Sequence, residues 1–193
     1  LASGTHLALI RTARALWERR LISGTSGNLS ARLDDGTILI TPTGCSFAHV
    51  EPADLVHLDR AAQPYHAGQR PSVELPLHRA AYRARPDIRY VVHTHPTFCV
   101  VCSRQGRLFP RDTVAATESL APMAWVAFHP SGSQALADAT ETALASGAPL
   151  ALLENHGLVA VARDIDEAFV QTDLAEECAK VAYLTALGKD VVL

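Results

Sequence analysis

Long apolar runs are missing from this sequence. None approaches the ~18 residues that a membrane-spanning helix needs, so no partnership with a membrane is expected. Charge of one sign is missing too. Lys/Arg and Asp/Glu are interleaved and sum to −3; without a basic face, nucleic acid is not an expected partner. Cysteine is scarce: four in 193 residues (Cys45, Cys99, Cys102 and Cys178) do not make a disulfide framework. No Gly-Lys-Ser/Thr occurs, which excludes a P-loop. Internal repeats, low-complexity tracts and linkers are lacking, and residues 1–10 carry no signal-peptide pattern. The class left standing is a cytoplasmic enzyme acting on a small molecule.

What is present suits one domain spanning residues 1–193, since 48% hydrophobic content over this length can build a sizeable core. Residues 5–22 read as an amphipathic helix. Leu9, Ala13, Leu16, Trp17 and Ile22 share a face, and Ser23-Gly24 stops it. A polar loop follows at 25–30, then a short β-branched strand at 37–41 that Pro42-Thr43-Gly44 breaks. One helical turn at 51–55 and a weak strand at 56–58 precede a turn-rich loop, 61–71. Ser72 reads as the N-cap of a helix over 73–85. An apolar strand at 90–93 leads into a helix at 96–103 with Pro96 near its start. A strand at 123–128, a helix at 131–146, strands at 150–153 and 158–161 and a long helix at 165–187 complete the chain. Helices alternate with strands, but several strands follow one another directly. That pattern predicts an α/β sandwich with a mixed sheet.

Histidine is the residue type whose placement carries chemistry. His93 and His95 are two apart at a strand end, and positions i and i+2 point to the same side, so both imidazoles can reach one ion. Such a pair also occurs by accident as two polar loop residues. His156 lies between two apolar strands, in Glu154-Asn155-His156-Gly157, and its other reading is a hydrogen-bonded core histidine. Taken together, the three make a catalytic zinc site with an open position. Glu74 is the acid to add. It stands in the first turn of a helix, where the helix dipole alone would also favour a carboxylate. His78, one turn further, is either a partner behind the site or a surface residue. A competing set of His95, Cys99 and Cys102 is weaker, because Phe98, Val100 and Val101 mark those cysteines as buried small hydrophobes.

Small polar segments suit an anion. Gly24-Thr25-Ser26-Gly27-Asn28, then Thr43-Gly44, then Ser72 at a helix start can all present N–H donors. Each alone looks like any turn or cap; three in one chain suggest a phosphate. Cys45, beside Gly44, either lines that pocket or is a buried spacer, and the spacer is the expectation.

These segments together resemble the class II aldolase/adducin family, which includes the fuculose-phosphate aldolases. The resemblance rests on Ser26-Gly27-Asn28-Leu29-Ser30, Ile40-Thr41-Pro42-Thr43-Gly44, Pro71-Ser72-Val73-Glu74, Val92-His93-Thr94-His95-Pro96 and Asn155-His156-Gly157-Leu158, in the family's order across nearly the whole chain. It implies a three-layer α/β/α sandwich with a mixed, largely antiparallel central sheet, assembled as a homotetramer with sites near subunit interfaces. It implies Zn²⁺ on His93, His95 and His156, with Fe²⁺, Mn²⁺ or Co²⁺ as alternatives that the same donors suit. Glu74 matches the family's glutamate, a metal ligand at rest and an acid/base in turnover. Asn28, Thr43, Gly44 and Ser72 match positions that hold the substrate phosphate. Two departures stand out. Val73 replaces a second serine that the aldolases often carry, and Arg111-Asp112-Thr113-Val114 holds no tyrosine where the fuculose-phosphate enzymes use one.

The expected function is thus a zinc-dependent lyase that cleaves a small phosphorylated ketose by a retro-aldol reaction through an enediolate. The first rival is decarboxylation of a 3-oxo-tetronate 4-phosphate, a sugar acid phosphate whose carboxylate Arg107, Arg111 or a residue of a partner subunit would hold. The second is a non-catalytic assembly module like the adducin head, in which metal ligands are generally lost. A pentulose-phosphate epimerase would tend to carry aspartate at the position of Glu74.

Overall fold

The computed structural model describes residues 3–188. Among these, seven strands form one sheet: β1 (Asn28–Arg32), β2 (Ile38–Ile40), β3 (Val56–Leu58), β4 (Tyr90–Thr94), β5 (Met123–Val126), β6 (Leu150–Leu153) and β7 (Gly157–Ala162), in the order β3-β2-β1-β4-β7-β6-β5. Every neighbouring pair is antiparallel except β5 with β6. The helices are α1 (Gly4–Glu18), α2 (Leu75–Ala84), α3 (Thr97–Ser103), α4 (Val114–Glu118), α5 (Gln134–Ala145) and α6 (Ile165–Gly188). None of them is long and apolar enough to cross a membrane.

Two buried clusters, one on each face of the sheet, make the three layers. Alternation along β4, β6 and β7 separates them. Val92, Leu150, Leu152, Leu158 and Ala160 face the α1, α3 and α6 side, while Val91, Ala151, Leu153, Val159 and Val161 face α2 and α5. The expected mixed, largely antiparallel sheet in an α/β sandwich is what the chain adopts.

Several boundaries differ from the sequence expectation. α4 is not in it, α5 starts at Gln134 and not at 131, β5 ends at Val126 and not at 128, and three further differences have a clear physical reason. α1 stops at Glu18, not at Ile22. Arg20 takes a left-handed conformation (φ 57°), and Leu21 N–H bonds Leu16 O while Arg20 N–H bonds Trp17 O. That double bond is a Schellman closure, here without the glycine that usually announces one. α2 begins at Leu75, not Val73, with Glu74 rather than Ser72 at the N-cap. A start at 73 would put Pro76 where the first intrahelical N–H is needed; from Leu75, Pro76 falls at a position that needs none. Residues 28–30 are strand, not loop. Leu29 and Ala31 of β1 enter the α1/α6 core, whereas Asn28 and Ser30 turn to the α2 side and are buried there among polar groups. With polar residues on both sides of Leu29, the segment looks like a surface loop until α2 is laid against it.

Candidate metal centre

The end of the sheet that carries the start of β1, the end of β4 and the start of β7 gathers four side chains. Asn28 pairs with His93 across β1 and β4, and His93 pairs with Val159 across β4 and β7. His95 follows the end of β4 by one residue, and His156 sits in the turn between β6 and β7. Glu74 reaches in from the N-cap of α2. One donor atom from each of Glu74, His93, His95 and His156 lies within 4.8 Å of the others. The three ring centroids are 4.9–5.0 Å apart.

The local backbone makes this convergence possible. Gly157 lies so close to β4 that a Cβ there would stand 2.2 Å from Thr94 O and 2.9 Å from the His95 ring. Gly27 packs against His93 in the same way, with a Cβ 2.7 Å from His93 O, and has a φ of +74° that side chains rarely adopt. Asn155, at φ 51°, turns the chain so that His156 points inward. Ser103 on α3 supports that turn: its Oγ accepts from Asn155 N at 2.9 Å and donates to Val100 O. Glu176 on α6 accepts from the N–H groups of Phe98 and Cys99, both at 2.9 Å, and so anchors the start of α3 just after His95-Pro96.

The donor set fits a divalent ion. The carbonyl of Leu158, 3.0 Å from His93 Nδ1, can only accept, so that nitrogen carries the hydrogen. In the neutral ring Nε2 is then a lone pair. It faces Glu74 Oε2 at 3.1 Å and His95 Nε2 at 3.0 Å, an arrangement of acceptors that a shared cation satisfies. His156 Nε2 stands 3.3 Å from Glu74 Oε1. Burial pushes His95 down to about 3 and His156 down to about 4, which keeps those imidazoles neutral as ligands must be. Burial by itself would raise the Glu74 carboxyl. The hydrogen bond from Asn28 and any positive charge gathered at His93 and His156 oppose this and hold the group well below the usual carboxylate range. Asn28 Nδ2 donates to Glu74 Oε2 and Ser131 Oγ to Glu74 Oε1, both at 2.9 Å.

The segments that carry the four residues matched to phosphate binding lie next to one another, since Leu29 N bonds Thr41 Oγ1 and Ser72 N bonds Thr41 O. Thr43 and Gly44 are brought beside Ser72 by a bridge between Pro42 and Pro71. Gly44 is exposed, at φ +70°, with open space where a side chain would be. Ser72 Oγ accepts from Glu74 N at 3.2 Å, which links this corner to the carboxylate. An open cleft of about 500 Å³ adjoins it, lined by Cys45, Ser46, His49 and Gln69 among others, so Cys45 is a half-buried lining residue and not a buried spacer. The Asn28 amide is engaged by Glu74 and His78. Cys99 and Cys102 are buried in the α3/α6 core, as their apolar neighbours predict, and take no part in the cluster. Arg111 lends Nε and Nη2 to the carbonyls of Ala116 and Leu120, which ties this candidate carboxylate holder into its own loop. Sequence reasoning missed Ser131, Ser103 and Glu176. Ser131 stands next to Gly132 before a helix and reads as any capping serine, and the other two act through long-range contacts that no spacing announces.

The class that this architecture defines is an α/β/α protein with a histidine-carboxylate cluster at one end of its sheet. Residues 7–183 match the class II aldolase and adducin N-terminal domain, and the chain belongs to that family. An L-fuculose phosphate aldolase of Methanococcus maripaludis is 31% identical over 91% of this chain and 94% of its own length. A 3-oxo-tetronate 4-phosphate decarboxylase of Haemophilus influenzae is 30% identical over 95% of this chain and 88% of its own. The crystal structure of L-fuculose-1-phosphate aldolase from Thermus thermophilus superposes with a TM-score of 0.83 at 28% identity, covering 97% of each chain. Class II aldolases depend on a metal ion, and the Glu74 and histidine cluster is a group that could hold one.

Proposed function

We propose that this chain is a zinc-dependent lyase that cleaves a small phosphorylated ketose, with His93, His95, His156 and Glu74 as metal ligands. The observation that carries the reading is the convergence of those four donor atoms within 4.8 Å. A divalent ion bound there would act as a Lewis acid, polarising adjacent hydroxyl and keto oxygens and stabilising the charge that develops as the neighbouring carbon–carbon bond breaks.

The residues supply the rest. Leu158 O fixes the His93 tautomer, and burial keeps His95 and His156 neutral. Glu74, ionised and held by Asn28 and Ser131, can leave those hydrogen bonds to take a proton from the substrate hydroxyl and return it to the departing carbon fragment. Thr43, Gly44 and Ser72 form the corner that suits the phosphate, which holds the far end of the substrate while its carbonyl faces the cluster. Homotetramer assembly, as the family resemblance implies, would close the site at a subunit interface; light scattering of the purified protein is the check.

Decarboxylation of a 3-oxo-tetronate 4-phosphate is the second reading, favoured by the 30% identity with a decarboxylase of that substrate. It would use the same cluster, because loss of carbon dioxide from a β-keto acid leaves the same kind of charge. A screen of ketose phosphates and 3-oxo sugar acid phosphates that detects aldehyde and carbon dioxide separately distinguishes the two. Aldehyde from a ketose phosphate supports the aldolase, carbon dioxide alone transfers the proposal to the decarboxylase, and turnover of neither class rejects both.

A further inference from the structure

Behind Glu74 runs a line of buried polar groups that the proposed reaction does not use. His78 and Tyr82 follow Glu74 at one and two turns along α2, and both are buried against β1. His78 Nε2 is 2.5 Å from Asn28 Oδ1, and its Nδ1 is 2.6 Å from Ser30 Oγ. Ser30 Oγ is in turn 2.8 Å from Tyr82 OH, which also reaches Arg89 O at 3.2 Å. Asn28 completes the line by donating from Nδ2 to Glu74 Oε2.

The hydrogen directions follow by elimination. The Glu74 carboxylate only accepts, so the N–H edge of Asn28 must face it and Oδ1 must face His78. An amide oxygen also only accepts, so His78 Nε2 carries the hydrogen. Complete burial pushes His78 down to about 3, so the ring is neutral and Nδ1 is a lone pair. Ser30 therefore donates to it, and the single Tyr82 hydrogen is shared between the Ser30 oxygen and Arg89 O, both of which accept. A flipped Asn28 would reverse every link: Oδ1 would face a carboxylate oxygen, and His78 would have to be the Nδ1–H tautomer. The His78 tautomer thus reports which edge of Asn28 meets Glu74.

We propose that His78, held as its Nε2–H tautomer by Ser30 and Tyr82, is a positioning residue that keeps the N–H edge of the Asn28 amide on Glu74. It steadies Glu74 as an ionised group aimed at His93 and His156, without touching substrate. Its effect on turnover rests on the lyase reading above; its tautomer does not.

The test has two arms. In zinc-loaded protein with ¹⁵N-labelled histidine, long-range ¹H–¹⁵N correlations should show His78 as the Nε2–H tautomer between about pH 6 and pH 9, assigned by its loss in His78→Gln. An Nδ1–H or doubly protonated ring would overturn the proposal, and this arm needs no turnover. In the kinetic arm, His78→Leu should lower kcat about tenfold, the worth of one misdirected charge-assisted hydrogen bond, with KM changed less than about twofold. His78→Gln keeps an N–H for Asn28 and an oxygen for Ser30, and should recover most of kcat. Equal losses in both variants, or a loss in KM alone, would contradict positioning. A wild-type chain that turns over no sugar phosphate sinks the lyase reading and leaves the tautomer to decide this one.

Discussion

His93 combines three roles in one fully buried side chain: its backbone pairs with β1 and β7, its Nδ1 is tied to Leu158 O, and its Nε2 faces both Glu74 and His95. Partners behind metal ligands already cost about 10–100-fold in affinity when removed. His93→Ala removes a ligand itself and should weaken zinc binding by more than that, abolishing metal-dependent turnover; a variant that retains stoichiometric zinc would contradict its assignment. The neutral histidines also set an acid limit. His78 and His95 are pushed down to about 3 and His156 to about 4 from an ordinary 6.5. Below 6.5 the unfolded chain binds protons that the folded chain refuses, so stability falls as pH drops from 6.5 towards 4. Glu74 has the opposite shift, and its contribution persists until pH falls below the ordinary 4.5. Urea midpoints measured across this range should be flat above about pH 7 and should decline through the histidine window. A profile level down to pH 4 would mean that these imidazoles are not buried as described.

At the scale of elements, the site depends on how closely β4, β7 and α3 approach one another. Gly157→Ala puts a Cβ 2.2 Å from Thr94 O, a backbone atom that cannot swing aside. The expected outcome is a loss of about 4 kcal/mol or more, read as insoluble protein or a sharply lowered Tm. Ser103→Ala leaves the Asn155 N–H without its partner and should cost about 1–3 kcal/mol in urea unfolding, with zinc affinity falling as His156 loosens. Wild-type stability and affinity in that variant would show that the turn holds itself. These elements also show what could be read in advance. The strands bearing His93 and flanking His156 were legible because their apolar runs are continuous and sharply punctuated. β1 was not, since Asn28 and Ser30 turn towards buried partners that lie 46 and 48 residues on. The end of α1 was obscured because Arg20 does the work of a glycine.

For the whole molecule, a sheet that is antiparallel except at β5 and β6 separates two apolar cores and leaves one end for chemistry. The order of the five short motifs made the fold and the four-residue cluster readable together, because Glu74, His93, His95 and His156 meet only if α2, β4 and the β6–β7 turn share that end. The sequence did not reveal how the cluster is oriented, since Ser131, Ser103, Glu176 and the carbonyl of Leu158 contribute only through tertiary contacts. The substrate is written less deeply still: a phosphate corner and a metal cluster are compatible with both an aldol cleavage and a decarboxylation. What both readings require is the metal. Metal analysis of the purified protein, before and after exhaustive chelation and with sugar-phosphate turnover followed alongside, should find close to one zinc per chain, turnover lost with the metal and turnover restored when zinc is returned. Turnover that survives complete removal of metal would contradict the account at its centre.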